Sequence, residues 1–202
     1  MSLATGLLLF AALAVGTAAA QPSAARTPAH AGPAPSGAAL PVADPDLPRL
    51  VIPVAGVRAA QLIDSYQDGR PGHRHEAIDI MAPSGTPVLA AADGPLVKLF
   101  TSAPGGLTVY QFDPQGRYAF YYAHLDRYAS GMAAGLSLQR GQLIGYVGTT
   151  GNAPGTAPHL HFEMHRLGPE KQWWKGAPIN PFAALRNGDE LPLRKPSSAA
   201  PR

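Results

Sequence analysis

From about Leu50 onward, apolar, β-branched and aromatic residues come in short runs: Pro87–Ala92, Gly94–Phe100, Leu107–Phe112, Tyr118–His124, Gln142–Val147 and His159–His165. Each run is closed by Gly, Pro, Asp or Asn, as in Asp93-Gly94, Gly105-Gly106, Asp113-Pro114-Gln115-Gly116 and Gly151-Asn152. Such runs between turn formers are read as strands joined by hairpins and meanders. Only Asp126–Ala134 reads as a short helix. The expected fold is mainly β, a single antiparallel sheet-rich domain.

The pattern changes at both ends. Residues 1–20 hold an apolar run, Leu7–Val15, followed by Ala18 and Ala20 in the spacing of a cleavage site, and read as an export signal. No Lys or Arg precedes the run, so cleavage and retention as an anchor both stay open, although the run is short for a membrane span. Residues 21–48 are nearly all Ala, Pro, Gly and Ser and read as a flexible linker. The folded domain is expected over 49–185, and 186–202, with Pro192, Pro196 and Pro201, as a disordered tail.

Composition sharpens this reading. The chain has 22 Gly and 22 Pro among 202 residues, with 14% charged and 7% aromatic residues, which disfavours helical bundles and coiled coils. It has no cysteine, which excludes disulfides, thiolate zinc sites, iron–sulfur clusters and cysteine nucleophiles. Any metal must sit on His, Asp or Glu. The net charge of +3 is spread along the chain, giving weak attraction to anionic surfaces but no basic stripe of the kind that binds nucleic acid. A monomer without a nucleic-acid partner is expected.

Of seven histidines, six lie in the domain, and two groups carry metal-ligand character: His75-Glu-Ala-Ile-Asp79 and His159-Leu-His161. On a strand, His159 and His161 point to one face, about 6 to 7 Å apart, so one can bind metal while the other faces a bound water. In a straight strand His75 and Asp79 would stand about 13 Å apart, too far to share a metal, so the backbone must bend between them, where small Ala77 sits. A helix would also bring them together, but the run Ile80-Met81-Ala82-Pro83-Ser84-Gly85 breaks any helix within a turn.

Residues 75–97 (HEAIDIMAPSGTPVLAAADGPLV), 121–125 (YYAHL), 141–163 (GQLIGYVGTTGNAPGTAPHLHFE) and 178–185 (PINPFAAL) resemble, in order, the M23 peptidoglycan endopeptidases, the family of lysostaphin and β-lytic metalloendopeptidase. The resemblance covers about 50–185. It implies a β-sheet-rich fold with a zinc-floored groove, zinc on His75, Asp79 and His161, and catalytic roles shared by His124 and His159, with base and oxyanion stabiliser unassigned between them. Three ligands leave one zinc position open, the pattern of a catalytic rather than a structural site, so hydrolysis would use a zinc-activated water. The family commonly has glycine two residues after the first ligand, where this chain has Ala77.

The resemblance therefore implies an exported zinc metalloendopeptidase that cleaves peptide cross-links of bacterial peptidoglycan. It would work in the periplasm or cell envelope, or after secretion, with no membrane anchor once the signal is cleaved. The alternative is an inactive module of the same fold that binds and activates a cell-wall amidase, against which the retention of all five positions argues. A biotinyl-type carrier, suggested by Gly141-Gln-Leu-Ile-Gly-Tyr-Val-Gly148, lacks an attachment lysine in a matching hairpin. His30, His73 and His165 are read as surface or core bystanders, with His73 near enough in sequence to touch the groove. Glu163 shares the face of His159 and His161 and is read equally as orienting an imidazole or as solvated. Trp173 and Trp174 are read equally as substrate edge or packing, and one of Tyr121 and Tyr122 as facing the core.

Overall fold

The computed structural model describes residues 47–191. The segments expected as export signal (1–20) and, up to residue 46, as linker, together with His30 and the part of the expected tail from residue 192, lie outside the described residues. After a single 3-10 turn at Ala59–Gln61 come β1 (Gly69–Arg70) and β2 (His73–Arg74), a two-stranded hairpin. Its turn is Pro71-Gly72: proline presets the first central position and Gly72, at φ 82°, supplies the second. Next follow β3 (Ile78–Met81), β4 (Pro87–Leu89), β5 (Gly94–Ser102), β6 (Gly106–Phe112) and β7 (Tyr118–Tyr128). The chain ends with β8 (Ser137–Leu138), β9 (Leu143–Val147), β10 (His159–Leu167), β11 (Gly176–Ile179) and the short helix α1 (Phe182–Arg186).

All strands outside the hairpin belong to one nine-stranded antiparallel sheet, in the order β11-β10-β7-β6-β5-β8. β3 pairs with the first half of β10, and β9 links β7 to β4. Alternation decides what each strand presents. Along β10, Leu160, Phe162 and Met164 are wholly buried, while His161, Glu163 and His165 occupy the other face, half-buried. Along β7, Tyr118, Phe120 and Tyr122 enter the core and Tyr121 does not. The buried Tyr122 hydroxyl donates to Gln111 Oε1 (2.6 Å) and accepts from Ala91 N (2.8 Å), so this aromatic residue reaches the core with its polar tip satisfied.

The expected strands are all present, with shifted ends, and the mainly β expectation holds. The helix expected over Asp126–Ala134 is absent. β7 instead runs on to Tyr128, because Arg127 and Tyr128 pair with Tyr146 and Gly145 of β9, and Gly131 at φ 79° then turns the chain. The Arg127 guanidinium lies 3.8 Å from the centre of the Tyr146 ring, and this tertiary pairing overrides a weak local preference. The helix that does form, α1, buries Leu185. Contacts also extend beyond Leu185: Asp189 bridges Val51, and Leu191 O accepts from Gly56 N (2.9 Å).

Candidate active site

β3 and β10 form the floor of a groove of about 670 Å³. Their register sets Asp79 directly opposite His161. His75 arrives from the loop ahead of β3, and the bend required between it and Asp79 is present. It falls at Glu76, at φ 55°, one residue earlier than expected. Ala77 is therefore free of any positive-φ requirement, which explains why alanine is tolerated there. It is fully buried, and its carbonyl accepts from Ser65 Oγ (3.2 Å).

Three atoms converge. His75 Nε2 is 3.0 Å from Asp79 Oδ1 and 3.1 Å from His161 Nδ1, and His161 Nδ1 is 3.1 Å from Asp79 Oδ1. Tetrahedral ligands with bonds of about 2.0–2.1 Å stand roughly 3.3 Å apart, so this triangle has the size of a metal-binding face. The remaining nitrogens are committed elsewhere: His75 Nδ1–H donates to Ser65 O (3.0 Å) and His161 Nε2–H to Glu163 Oε1 (2.8 Å). These bonds leave the lone pairs of His75 Nε2 and His161 Nδ1 aimed at the triangle.

Electrostatics agrees with a cation there. Burial works against a charged His161, but Asp79 and Glu163, one at each ring nitrogen, prevail and lift its pKa to about 9. Burial likewise opposes ionisation of both carboxyls, yet hydrogen bonds from the histidines hold Asp79 well below the carboxylate range and bring Glu163 to about 2. The triangle is thus an anionic corner in which a proton stands where a metal ion fits.

His124 and His159 flank it. Their rings stack edge-on at 4.9 Å, with His124 5.5 Å from the His161 ring. His159 Nε2 lies 3.8 Å from Asp79 Oδ1, outside the triangle. Each donates its Nδ1–H to a backbone carbonyl, His124 to Thr150 (2.8 Å) and His159 to Ala157 (2.8 Å), so each keeps Nε2 for the groove. Burial, then the neighbouring imidazoles, lower the His124 pKa to about 4, which keeps it neutral and able to accept a proton.

His124 reaches the groove through a bulge. Val109 pairs with Tyr122 and Leu107 with Leu125, so Ala123 and His124 together oppose Thr108. The extra residue sits at φ 61° and re-aims a side chain that strict alternation would send into the core. The loop that receives it needs two glycines. A Cβ on Gly106 would lie 2.1 Å from Thr150 Oγ1, and one on Gly151 would lie 2.4 Å from Gly106 N.

All five residues singled out in the sequence meet in this groove. Two presumed bystanders line it as well: His73, and His165, whose Nε2 is 2.7 Å from Glu163 Oε2. Glu163 thus bridges two imidazoles rather than facing solvent. Tyr121 forms a wall, edge-on to His161 at 6.1 Å. Trp173 packs on Phe100 and Tyr110, whereas Trp174 is 62% exposed. Sequence reading missed Arg70, whose Nη2 lies 3.0 Å from Asp79 Oδ2, and Arg74, hydrogen-bonded to Gln67. The Pro71-Gly72 pair was the available signal for the hairpin that carries them.

The L-Ala–D-Glu endopeptidase of Bacillus subtilis is 32% identical over 60% of this chain and 37% of its own length. Glycyl-glycine endopeptidase ALE-1 of Staphylococcus capitis is 35% identical over 48% of this chain and 26% of its own. The chain thus spans only a quarter to two fifths of these relatives. The catalytic domain of the antimicrobial peptidase lysostaphin from Staphylococcus simulans superposes with a TM-score of 0.50 at 30% identity, over 59% of this chain and 84% of that domain. The model of peptidase family M23 matches residues 73–181, which takes in β2 through β11 and every groove histidine. More than half of the chain falls within that match, on a lysostaphin-type β fold, and the protein belongs to peptidase family M23.

Proposed function

We propose that this chain is an exported zinc endopeptidase that hydrolyses peptide cross-links of bacterial peptidoglycan. The observation that carries the reading is the His75–Asp79–His161 triangle on a groove floor, with two further imidazoles presenting free Nε2 atoms beside it. The relatives named above, an L-Ala–D-Glu and a glycyl-glycine endopeptidase, support the substrate class.

His75 through Nε2, Asp79 through Oδ1 and His161 through Nδ1 would hold the zinc, which when bound supplies a Lewis acid to water and to the peptide carbonyl. His124 and His159 handle protons jointly. The neutral imidazole takes the proton of the attacking water, and an imidazolium stabilises the developing oxyanion and protonates the departing amine. Thr150 and Ala157 fix the tautomer of each ring, so no reorientation is needed during turnover. Tyr121, kept protonated by burial, offers a hydroxyl from the wall.

Residues 1–20 would direct export and 21–48 would tether a monomeric domain. Among the described residues no helix is long and apolar enough to cross a membrane. The test is digestion of purified sacculi by the chain from Gln21 onward, loaded with zinc, followed by assay of new amino groups and mass analysis of the fragments. One zinc per chain and amine release that fails in His161→Ala are expected. Unchanged release in that variant would sink the mechanism, and zinc binding without release on any wall chemistry would favour the amidase-activator reading.

A further inference from the structure

The groove has an electrically lopsided rim. Among the described residues three carboxylates line it, but Asp79 is engaged by His75, His161 and Arg70, and Glu163 by His161 and His165. Glu76 alone remains, turned at φ 55°, its backbone N–H donating to Tyr66 O and its charge acting on the Tyr66 phenol. Against it stand two guanidinium groups on the β1–β2 hairpin. Among the described residues Arg74 has the neutral Gln67 side chain as its partner and no carboxylate in an ion pair. Arg70 spends one nitrogen on Asp79 Oδ2 at 3.0 Å, yet its side chain is 38% exposed and lines the groove.

We propose that Arg70 and Arg74 form a carboxylate-binding edge, so that the preferred substrate is an acidic peptide with a free carboxylate near the scissile amide rather than a neutral glycine bridge. The proposal rests on the peptidoglycan reading and deepens it by naming the substrate class. A guanidinium offers five N–H donors in a planar fork, and the edge left over from Asp79 matches a carboxylate in a bidentate fashion. Because Arg70 touches Asp79, a carboxylate bound there sits next to the reacting centre, within about one residue of the amide held over it. Arg74 then sets the approach of the anionic ligand through its field within the cleft.

The test compares soluble peptidoglycan fragments with the same fragments whose carboxyl groups have been converted to amides by carbodiimide and ammonia. For the wild-type chain, amidation should lower kcat/KM about tenfold or more, the value of one charge-assisted hydrogen bond. Arg74→Gln should erase most of that preference through KM with kcat nearly kept, Arg74→Lys should retain it, and Arg74→Glu should favour the amidated fragments. Arg70→Gln should erase it too, with zinc stoichiometry measured as a control for Asp79. An unchanged preference in both glutamine variants, with melting temperatures intact, would overturn the proposal. Calorimetric binding of the two fragment sets to the metal-free chain separates the levels. A preference for the acidic set that is lost in Arg74→Gln upholds the edge even if no fragment is cleaved, whereas equal binding of both sets overturns it whatever the activity.

Discussion

β10 and the β1–β2 hairpin serve the same groove, but they are held very differently. β10 pairs along both edges, with β7 on one side and β3 and β11 on the other, and its core face is sealed by Leu160, Phe162 and Met164. The hairpin pairs only with itself, through two register pairs, and all four strand residues are exposed. His161, the corner of the triangle that β10 carries, sits where a strand fixes it on either side. The charges proposed to gather a ligand sit where a long side chain can follow it.

The contrast can be broken from the floor upward. Replacing His161 or Asp79 by alanine removes a corner of the triangle and should lower amine release from sacculi at least ~10³-fold while bound zinc falls from one per chain towards none. His124→Ala should lower kcat by ~10²–10⁴-fold with the zinc content unchanged, which separates proton handling from metal binding. Phe162→Ala, on the sealed face, should cost about 3–5 kcal/mol in denaturant unfolding, because the stacked Phe120 at 6.3 Å and Tyr122 at 5.2 Å cannot collapse into the space.

Smaller effects sharpen the comparison. Glu163→Gln keeps the shape but weakens the grip on His161 Nε2–H, and chelator competition should show zinc affinity lower by about 10–100-fold. His161 in the metal-free chain stays protonated up to about 9, so zinc uptake near neutral pH must displace that proton. A titration in weak buffer should record its release, and affinity should rise with pH until about 9. At the rim, Gly72→Ala meets open space and suffers only the strain of φ 82°, about 1 kcal/mol. The global melting temperature should hardly move, since the hairpin can open by itself, while KM rises.

The floor was legible in the sequence because period-two alternation is a local property. His159-Leu-His161 announces two imidazoles on one face, and the reach from His75 to Asp79 demands a bend. The ligand set and His124 came only with the family resemblance, since nothing local joins residues 75, 124 and 161. The false helix over Asp126–Ala134 and the missed Arg70 are both decided by pairings that no local pattern announces: the first by Tyr146 of β9, about twenty residues on, the second by a hairpin that folds Arg70 back onto Asp79 of β3, nine residues away. Sequence pattern also placed the bend on Ala77 for its size, while the backbone took it at Glu76, whose side chain is exposed, and left Ala77 fully buried.

The bulge in β7 makes the groove vulnerable to a change that touches none of its histidines. Deleting Ala123 would restore strict alternation, leaving Tyr122 and Leu125 in the core and every histidine present. The imidazole of His124 would then take the place of Ala123, straight across the ladder from His161, and lose the Thr150 carbonyl that holds it. The loss of one codon would thus keep all five groove residues in the chain and undo their spatial arrangement.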